Sequence, residues 1–323
     1  MCGILAYISK EKIKDSAIFN LKNLMVCRGP DNQSYSRFKF GDQFLHLFHS
    51  RLSIQDLNKR SNQPFRFNNY VIIFNGEIYN FKNLRNKLKK TKFKTLSDTE
   101  IILHYYHNFK EKCFSMFEGM WSIIIYDTQK NKLIISRDRF GEKPILIYRF
   151  NNEIIISSQI SYIRELKKKE IFNFNDNKIN SFLHYGYKSL FKNNETFFKK
   201  IRFFEKGTIS TIDSNLKITK NKYWSLKISK EIQKLNIEDH IENSKRLLID
   251  SINLRLISDV PVALNLSGGI DSGAICSIAS KILEQKIETF SIIDRDKRYN
   301  EKISILKTAK DCNVNTNFIK LKK

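Results

Sequence analysis

The chain has 323 residues, room for two domains of ordinary size, and its 41% hydrophobic and 12% aromatic content excludes a disordered polymer. Its net charge of +24 comes from 42 Lys against 15 Arg scattered along the sequence, which argues against a nucleic-acid reader built on Arg forks. No apolar run approaches the ~20 residues of a membrane span, no signal-peptide pattern opens the chain, and five dispersed cysteines fit a reducing compartment, so a cytoplasmic protein with no nucleic-acid or membrane partner is expected.

The first informative residue is Cys2. Trimming of Met1 would leave one residue carrying both a nucleophilic sulfur and an α-amine, which titrates at about 7.7–8.0 and can take the thiol proton itself. Helical spacing follows over Ser16–Val26. From Leu45 to Ser158 short apolar stretches are split by turn signals: Val71–Phe74 runs into Asn75-Gly76, Asp127–Lys132 parts two apolar runs, and Asn151-Asn152 parts two more. These read as hairpins of antiparallel sheet. Helices are expected at Phe81–Lys89 and Asp98–Phe109, giving α+β layers.

Beyond Lys206-Gly207 the pattern changes. Ile237–Ile257 reads as an amphipathic helix with Ile241, Leu247, Leu248, Ile252 and Leu256 toward a core. An apolar strand Val260–Leu266, a glycine loop, a helix Asp271–Leu283, a strand Glu288–Ile293, a helix near Asn300–Asp311 and a strand Asn317–Leu321 follow. Strands alternating with helices predict a parallel, doubly wound sheet. The boundary falls between Thr208 and Lys234, giving domains 2–212 and 235–323. Ser267-Gly268-Gly269-Ile270-Asp271-Ser272 stands after a strand and opens a helix, where backbone N–H groups can face an anion. The two serines add hydroxyl donors and Asp271 can hold a magnesium ion; the absence of a Lys after the glycines excludes a Walker A loop.

That loop resembles the SGGxDS pyrophosphate loop of the ATP pyrophosphatases, and with Cys2 it resembles glutamine-hydrolysing asparagine synthetase. Further segments match in order: Arg28-Gly29-Pro30-Asp31, His49-Ser50-Arg51-Leu52-Ser53-Ile54, Asn75-Gly76-Glu77-Ile78-Tyr79-Asn80, Ser97-Asp98-Thr99-Glu100, Arg137-Asp138-Arg139-Phe140-Gly141 and Ser258-Asp259-Val260-Pro261. The resemblance implies an α+β Ntn-hydrolase αββα sandwich followed by the start of an α/β parallel-sheet ATP-pyrophosphatase domain. It implies that Cys2 attacks the glutamine amide, that Arg51 holds the α-carboxylate and Asp98 the ammonium, and that Asn75 and Gly76 form the oxyanion hole. Leu52, Ser53, Ile54, Gln55 and Glu77 would line the pocket.

In the second domain the resemblance implies ATP and Mg2+ as cofactors, with Leu266 and Ile292 at the adenine, Ser267, Gly268, Gly269, Asp271 and Ser272 at the pyrophosphate, Asp271 at the metal, and Glu301 near the metal or aspartate. Aspartate would be adenylated and then aminated by ammonia from the first site. Departures are Cys27 for a usual His, Leu96 for a small residue, Ser157-Ser158-Gln159 for Ala-Ser-Glu and Lys206-Gly207 for Pro-Gly. Chains of that family continue well past this length, so the expectation is a chain that hydrolyses glutamine but makes no asparagine unless completed, for example by a complementing chain or within a homodimer. Alternative readings are an amidotransferase for another carboxylate such as a sugar acid, or a fragment with glutaminase activity only or a non-catalytic binding role. Fructose-6-phosphate and phosphoribosyl amidotransferases share the Cys, but Ser267–Ser272 argues against both.

Overall fold

The computed structural model describes residues 1–89, 91–167, 173–229, 232–296 and 298–320. They fall into two compact units, Met1–Leu226 and Lys227–Lys323. The first unit thus runs on past Ile212 to include the strand Ile218–Lys222.

Two six-stranded antiparallel sheets build the first unit. One runs in the order Ile201–Phe203, Leu146–Phe150, Glu153–Ser157, Gly3–Ser9, Gln43–Arg51, Asn32–Phe40. The other runs Ile218–Lys222, Thr208–Ile212, Lys132–Arg137, Gly119–Asp127, Tyr70–Ile78, Phe65–Phe67. Side chains alternate across each strand, so one sequence feeds two cores. Ile4, Ala6 and Ile8 join Leu47 and Ile156 against Val71, Ile73, Ile124 and Ile135 of the facing sheet. Leu5, Tyr7 and Phe48 point the other way, onto Leu21 and Met25 of the helix Asp15–Met25 and Tyr162 and Ile163 of the helix Ile160–Lys167. The helix Asp98–Phe109 covers the outer face of the second sheet beside Tyr70–Ile78. The layers are αββα. Each fully buried aliphatic side chain contributes ~1.5–3 kcal/mol, so the core between the sheets is the main source of rigidity beneath the strand ends.

One expectation is corrected here. Asn75-Gly76 is no hairpin turn: the strand runs through it to Ile78, with Asn75 opposite Ser122 and Gly76 opposite Trp121. The other two turns are as read, and Asn131 and Asn151 take the left-handed conformation at them.

The second unit carries a parallel three-stranded sheet, Ala263–Asn265, Glu288–Ile293 and Asn315–Lys320. Its first strand is shorter than the apolar run that announced it, because Pro261 has no N–H to give a ladder. The helix after the loop is α-helical over Ile270–Ser277 and continues as a π-turn over Ile278–Ile282. The helix Ile237–Arg255, capped by the Asn236 side chain on Asp239 N, departs from expectation. Its last turns pack, through Ile249, Ile252 and Leu256, on Ile278, Ala279 and Ile287. Ile241, Leu247 and Leu248 are exposed, since the apolar cluster of the described residues reaches only the helix's C-terminal end. Leu321, the expected end of the last strand, lies outside the described residues. Among the described residues no helix is long and apolar enough to cross a membrane.

Candidate active site

A cleft in the first unit gathers Cys2, Arg51, Gly76, Glu77 and Asp98, with Leu52, Ile54 and Gln55 along one wall. Cys2 precedes the central strand Gly3–Ser9, whose first residue has no room for a side chain: a Cβ on Gly3 would lie 2.5 Å from Ser50 Oγ and 2.9 Å from the Tyr162 hydroxyl. Gly3 N donates to Ser50 Oγ at 3.1 Å, and Arg28 Nε holds the Cys2 carbonyl at 2.9 Å. Leu52 N points at the sulfur at 3.4 Å. Burial pushes the Cys2 thiol above its ordinary value, and the Leu52 N–H offsets only part of that. The thiol is therefore protonated at neutral pH and needs a base. Met1 covers the site, its sulfur 3.5 Å from Lys143 Nζ and 3.8 Å from Arg28 Nη2.

The segment Arg28–Asp31 is a brace. A Cβ on Gly29 would collide with the Ser50-Arg51 peptide, so only glycine allows this approach. Asp31 N donates to Arg51 O at 3.0 Å, and the Asp31 carboxylate accepts from Ser53 N at 2.6 Å. Ser53 thus fixes the loop through its backbone.

Arg51 is buried, and its terminal nitrogens reach into the following loop. They donate to Asn58 O and Asn62 Oδ1, both at 2.9 Å, to Gln55 O at 3.1 Å and to the Asp56 carbonyl. An incoming carboxylate must exchange with some of these carbonyls, or use Nε.

Asp98 opens its helix just after the cap Ser97, whose Oγ accepts from Thr99 N at 3.1 Å. Its Oδ2 accepts from Ile78 N at 2.9 Å. Burial raises its pKa to about 6 despite that bond and those from Ser97 and Thr99.

Asn75 is buried, and its Nδ2 has no partner among the described residues. A buried amide donor left unpaired costs ~1–3 kcal/mol, which marks a place where a ligand acceptor belongs. The N–H groups of alternate residues in a strand leave by the same edge. Phe74 N goes to Gln63 Oε1 at 2.6 Å and Ile78 N to Asp98, both away from the paired strand, so Gly76 N between them faces the same open edge. A Cβ on Gly76 would strike Met120 O and lie 2.7 Å from Trp121 Cα. Gly76 thus lines the cleft that holds Cys2 with its N–H on the open edge, while Asn75, the preceding residue, is buried and is not among the residues lining that cleft.

Other motif residues are structural. The buried Asp138 carboxylate accepts from five backbone N–H groups, those of Trp121, Phe140, Gly141, Glu142 and Lys143, and so folds the loop 138–143 around itself. Arg137 fastens the same loop through Lys143 O, Gly141 O and Phe204 O. Two buried side chains, Gln63, which sequence reasoning did not single out, and His49, quoted there only as part of a motif, hold the backbone of Phe74 from its N–H and its carbonyl.

In the second unit, Ser267–Ser272 joins the strand Ala263–Asn265 to the helix Ile270–Ser277, at the carboxyl end of a parallel sheet where anions bind in such folds. Ser267 Oγ and Ser272 Oγ are 2.8 Å apart, and Gly268 N donates to Glu301 Oε2 at 3.0 Å. One amide of the loop is thus already occupied by the chain's own Glu301 carboxylate. Leu266 N and O are engaged with Phe290 O and Ser291 Oγ, and the Ile292 side chain is exposed. Asp271 stands in the first turn of the helix, and among the described residues no three His, Cys, Asp or Glu gather to hold a metal.

An αββα sandwich with a thiol just ahead of a central strand, beside a cleft, is the architecture of the Ntn hydrolases. Residues 1–224 match the glutamine amidotransferase domain model and residues 243–323 match the asparagine synthase model. The chain belongs to the glutamine amidotransferase family. It is 34% identical over 319 residues to glutamine-hydrolyzing asparagine synthetase 2 of Bacillus subtilis (strain 168), covering 93% of this chain and 41% of that protein. A Methanocaldococcus jannaschii protein is 34% identical over 318 residues, covering 90% of this chain and 59% of its own length. The chain therefore spans about half the length of these curated relatives. A solved allosteric regulatory enzyme of purine biosynthesis aligns with 98% of this chain and 65% of its own at a TM-score of 0.50 and 13% identity, a likeness of fold alone.

Proposed function

We propose that the chain hydrolyses glutamine at Cys2 and, within the whole enzyme, supplies the ammonia for ATP-dependent conversion of aspartate to asparagine. The observation that carries this is the meeting of Cys2, Arg51, Gly76 and Asp98 in one cleft, with the Asn75 amide, unpartnered among the described residues, next to Gly76 in the same strand. The reading requires removal of Met1. The Cys2 amine then lies near Arg28 and Lys143, two cations that, after burial, already depress the amine of Met1. The free amine takes the thiol proton as sulfur attacks the side-chain carbonyl carbon of glutamine. The oxyanion so formed is met by Asn75 Nδ2 and Gly76 N, which need no reorganisation; loss of one such donor typically costs 10²–10³ in kcat. Collapse breaks the C–N bond, the proton passes to the leaving nitrogen, ammonia departs, and water cleaves the thioester. Arg51 takes the substrate carboxylate and Asp98 its ammonium.

Supporting the second half is the loop Ser267–Ser272 at the start of the helix Ile270–Ser277, where Gly268 N donates to the Glu301 carboxylate. ATP phosphates would displace Glu301 from Gly268 N, with Mg2+ held by phosphate, water and Asp271. ATP supplies activation of a carboxylate; the loop's task is to bind and orient the pyrophosphate.

Ammonia release from glutamine by the full chain tests the first half. Wild type is expected to release it without ATP, and Cys2→Ala to fall to background. Equal release by both would defeat the assignment.

A further inference from the structure

Phe74 immediately precedes the oxyanion donor Asn75 and lies beyond the end of the edge strand Phe65–Phe67. That ladder pairs Phe65 with Ile72, and its continuation puts Gln63 opposite Phe74. There the main chain of the edge strand has stopped pairing and side chains replace it. Gln63 Oε1 accepts from Phe74 N at 2.6 Å, and Gln63 Nε2 donates to Thr99 Oγ1 at 3.2 Å. From the neighbouring sheet His49 Nε2 donates to Phe74 O at 3.1 Å. All three side chains are buried, and Gln63 and Thr99 also line the cleft.

Gln63 therefore touches both recognition elements: the strand that carries Asn75 and Gly76, and the helix start that carries Asp98. We propose that Gln63 is a positioning residue for glutamine hydrolysis, a buried amide bridge that sets the spacing between the oxyanion donors and the ammonium acceptor. The inference rests on the glutaminase reading above. An amide suits the task because one group accepts from the strand while the other donates to the helix. A shift of the strand harms the transition state more than the bound substrate, since the oxyanion exists only after attack.

The test is steady-state glutamine hydrolysis by the full chain carrying Gln63→Leu, alone and with Asn75→Ala, alongside iodoacetamide alkylation of Cys2 read by peptide mass. Gln63→Leu is expected to lower kcat about 30-fold, with KM within about threefold and Cys2 alkylation within about twofold of wild type. In the Asn75→Ala background it should cost about tenfold rather than 30-fold, because one of the two donors it positions is already gone. A kcat within twofold of wild type, a KM that rises as far as kcat falls, or losses that multiply in full would overturn the proposal. Should Gln63→Leu fail to fold, Thr99→Val cuts only the helix end of the bridge. A roughly fivefold lower kcat is then expected, and an unchanged kcat refutes the bridge. A wild-type chain that releases no ammonia would sink the glutaminase reading itself, whereas an active wild type with an equally active Gln63→Leu sinks the positioning claim alone.

Discussion

Asp98 is a buried carboxylate whose proton affinity decides whether it can receive an ammonium. With its pKa lifted to about 6 by burial, it is charged at neutral pH and neutral below. The kcat/KM for glutamine should therefore fall about tenfold per unit as pH drops below 6, an acid limb that Asp98→Asn abolishes while raising KM about 10- to 100-fold. An acid limb that persists in the Asn variant would belong to another group. Gly76→Ala should cost more than any electrostatic change at the site, since its Cβ meets the backbone of Met120 and Trp121 and must push the strand apart; retention of wild-type kcat would contradict that crowding. Cys2, Arg51 and Asp98, singled out as motif residues far apart in the sequence, meet in one cleft. That Asn75-Gly76 lies inside a strand was not legible in the sequence. Asn-Gly is the strongest local turn signal, and the pairing with Ser122 and Trp121 that overrides it is long-range. Gln63 gave no signal at all: its role follows from strand register alone.

The helix Asp98–Phe109 illustrates an element readable from its own residues. Ser97 caps it, Asp98 and Glu100 put negative charge in its first turn, and the observed bounds are those expected. Glu100 also folds the approach to it, accepting from Lys94 N at 2.9 Å and from Thr95 N and Oγ1 at 2.7 Å. Burial opposes its charge, but the neighbouring His104 ring, 3.6 Å away, and the bonds from Lys94 and Thr95 win and hold its pKa at about 2. A folded pKa below the unfolded value means that the stabilisation is complete above about pH 4.5 and lost as pH falls toward 2. Glu100→Gln should lower stability at pH 7 by about 2 kcal/mol, and the gap in Tm should close on acidification; a gap independent of pH would assign the effect to packing. The helix Ile237–Arg255 marks the opposite case. Its periodicity predicted the helix, but periodicity cannot say which apolar residues find a partner, and Ile241, Leu247 and Leu248 are exposed.

At the scale of the molecule, the sequence disclosed a change from hairpins to alternating strands and helices, and with it two units. It did not disclose that the first unit takes in Ile218–Lys222, a strand with one apolar residue, Ile218, which packs on the core while the rest is held by pairing with Thr208–Ile212. Ser225–Ser229 beyond it is exposed and outside any helix or strand. Limited trypsin digestion should cut first near Lys227 and leave the fragment Cys2–Lys227 able to hydrolyse glutamine; a first cut within the sandwich, or an inactive fragment, would contradict the division. The central claim is that Cys2 is the processed, N-terminal nucleophile of a glutaminase. Its most direct measurement is intact and peptide mass spectrometry after exposure to the glutamine analogue 6-diazo-5-oxo-L-norleucine. One adduct is expected, on Cys2, in a chain lacking Met1. An unlabelled chain that retains Met1, or a label on Cys27 instead, would contradict it.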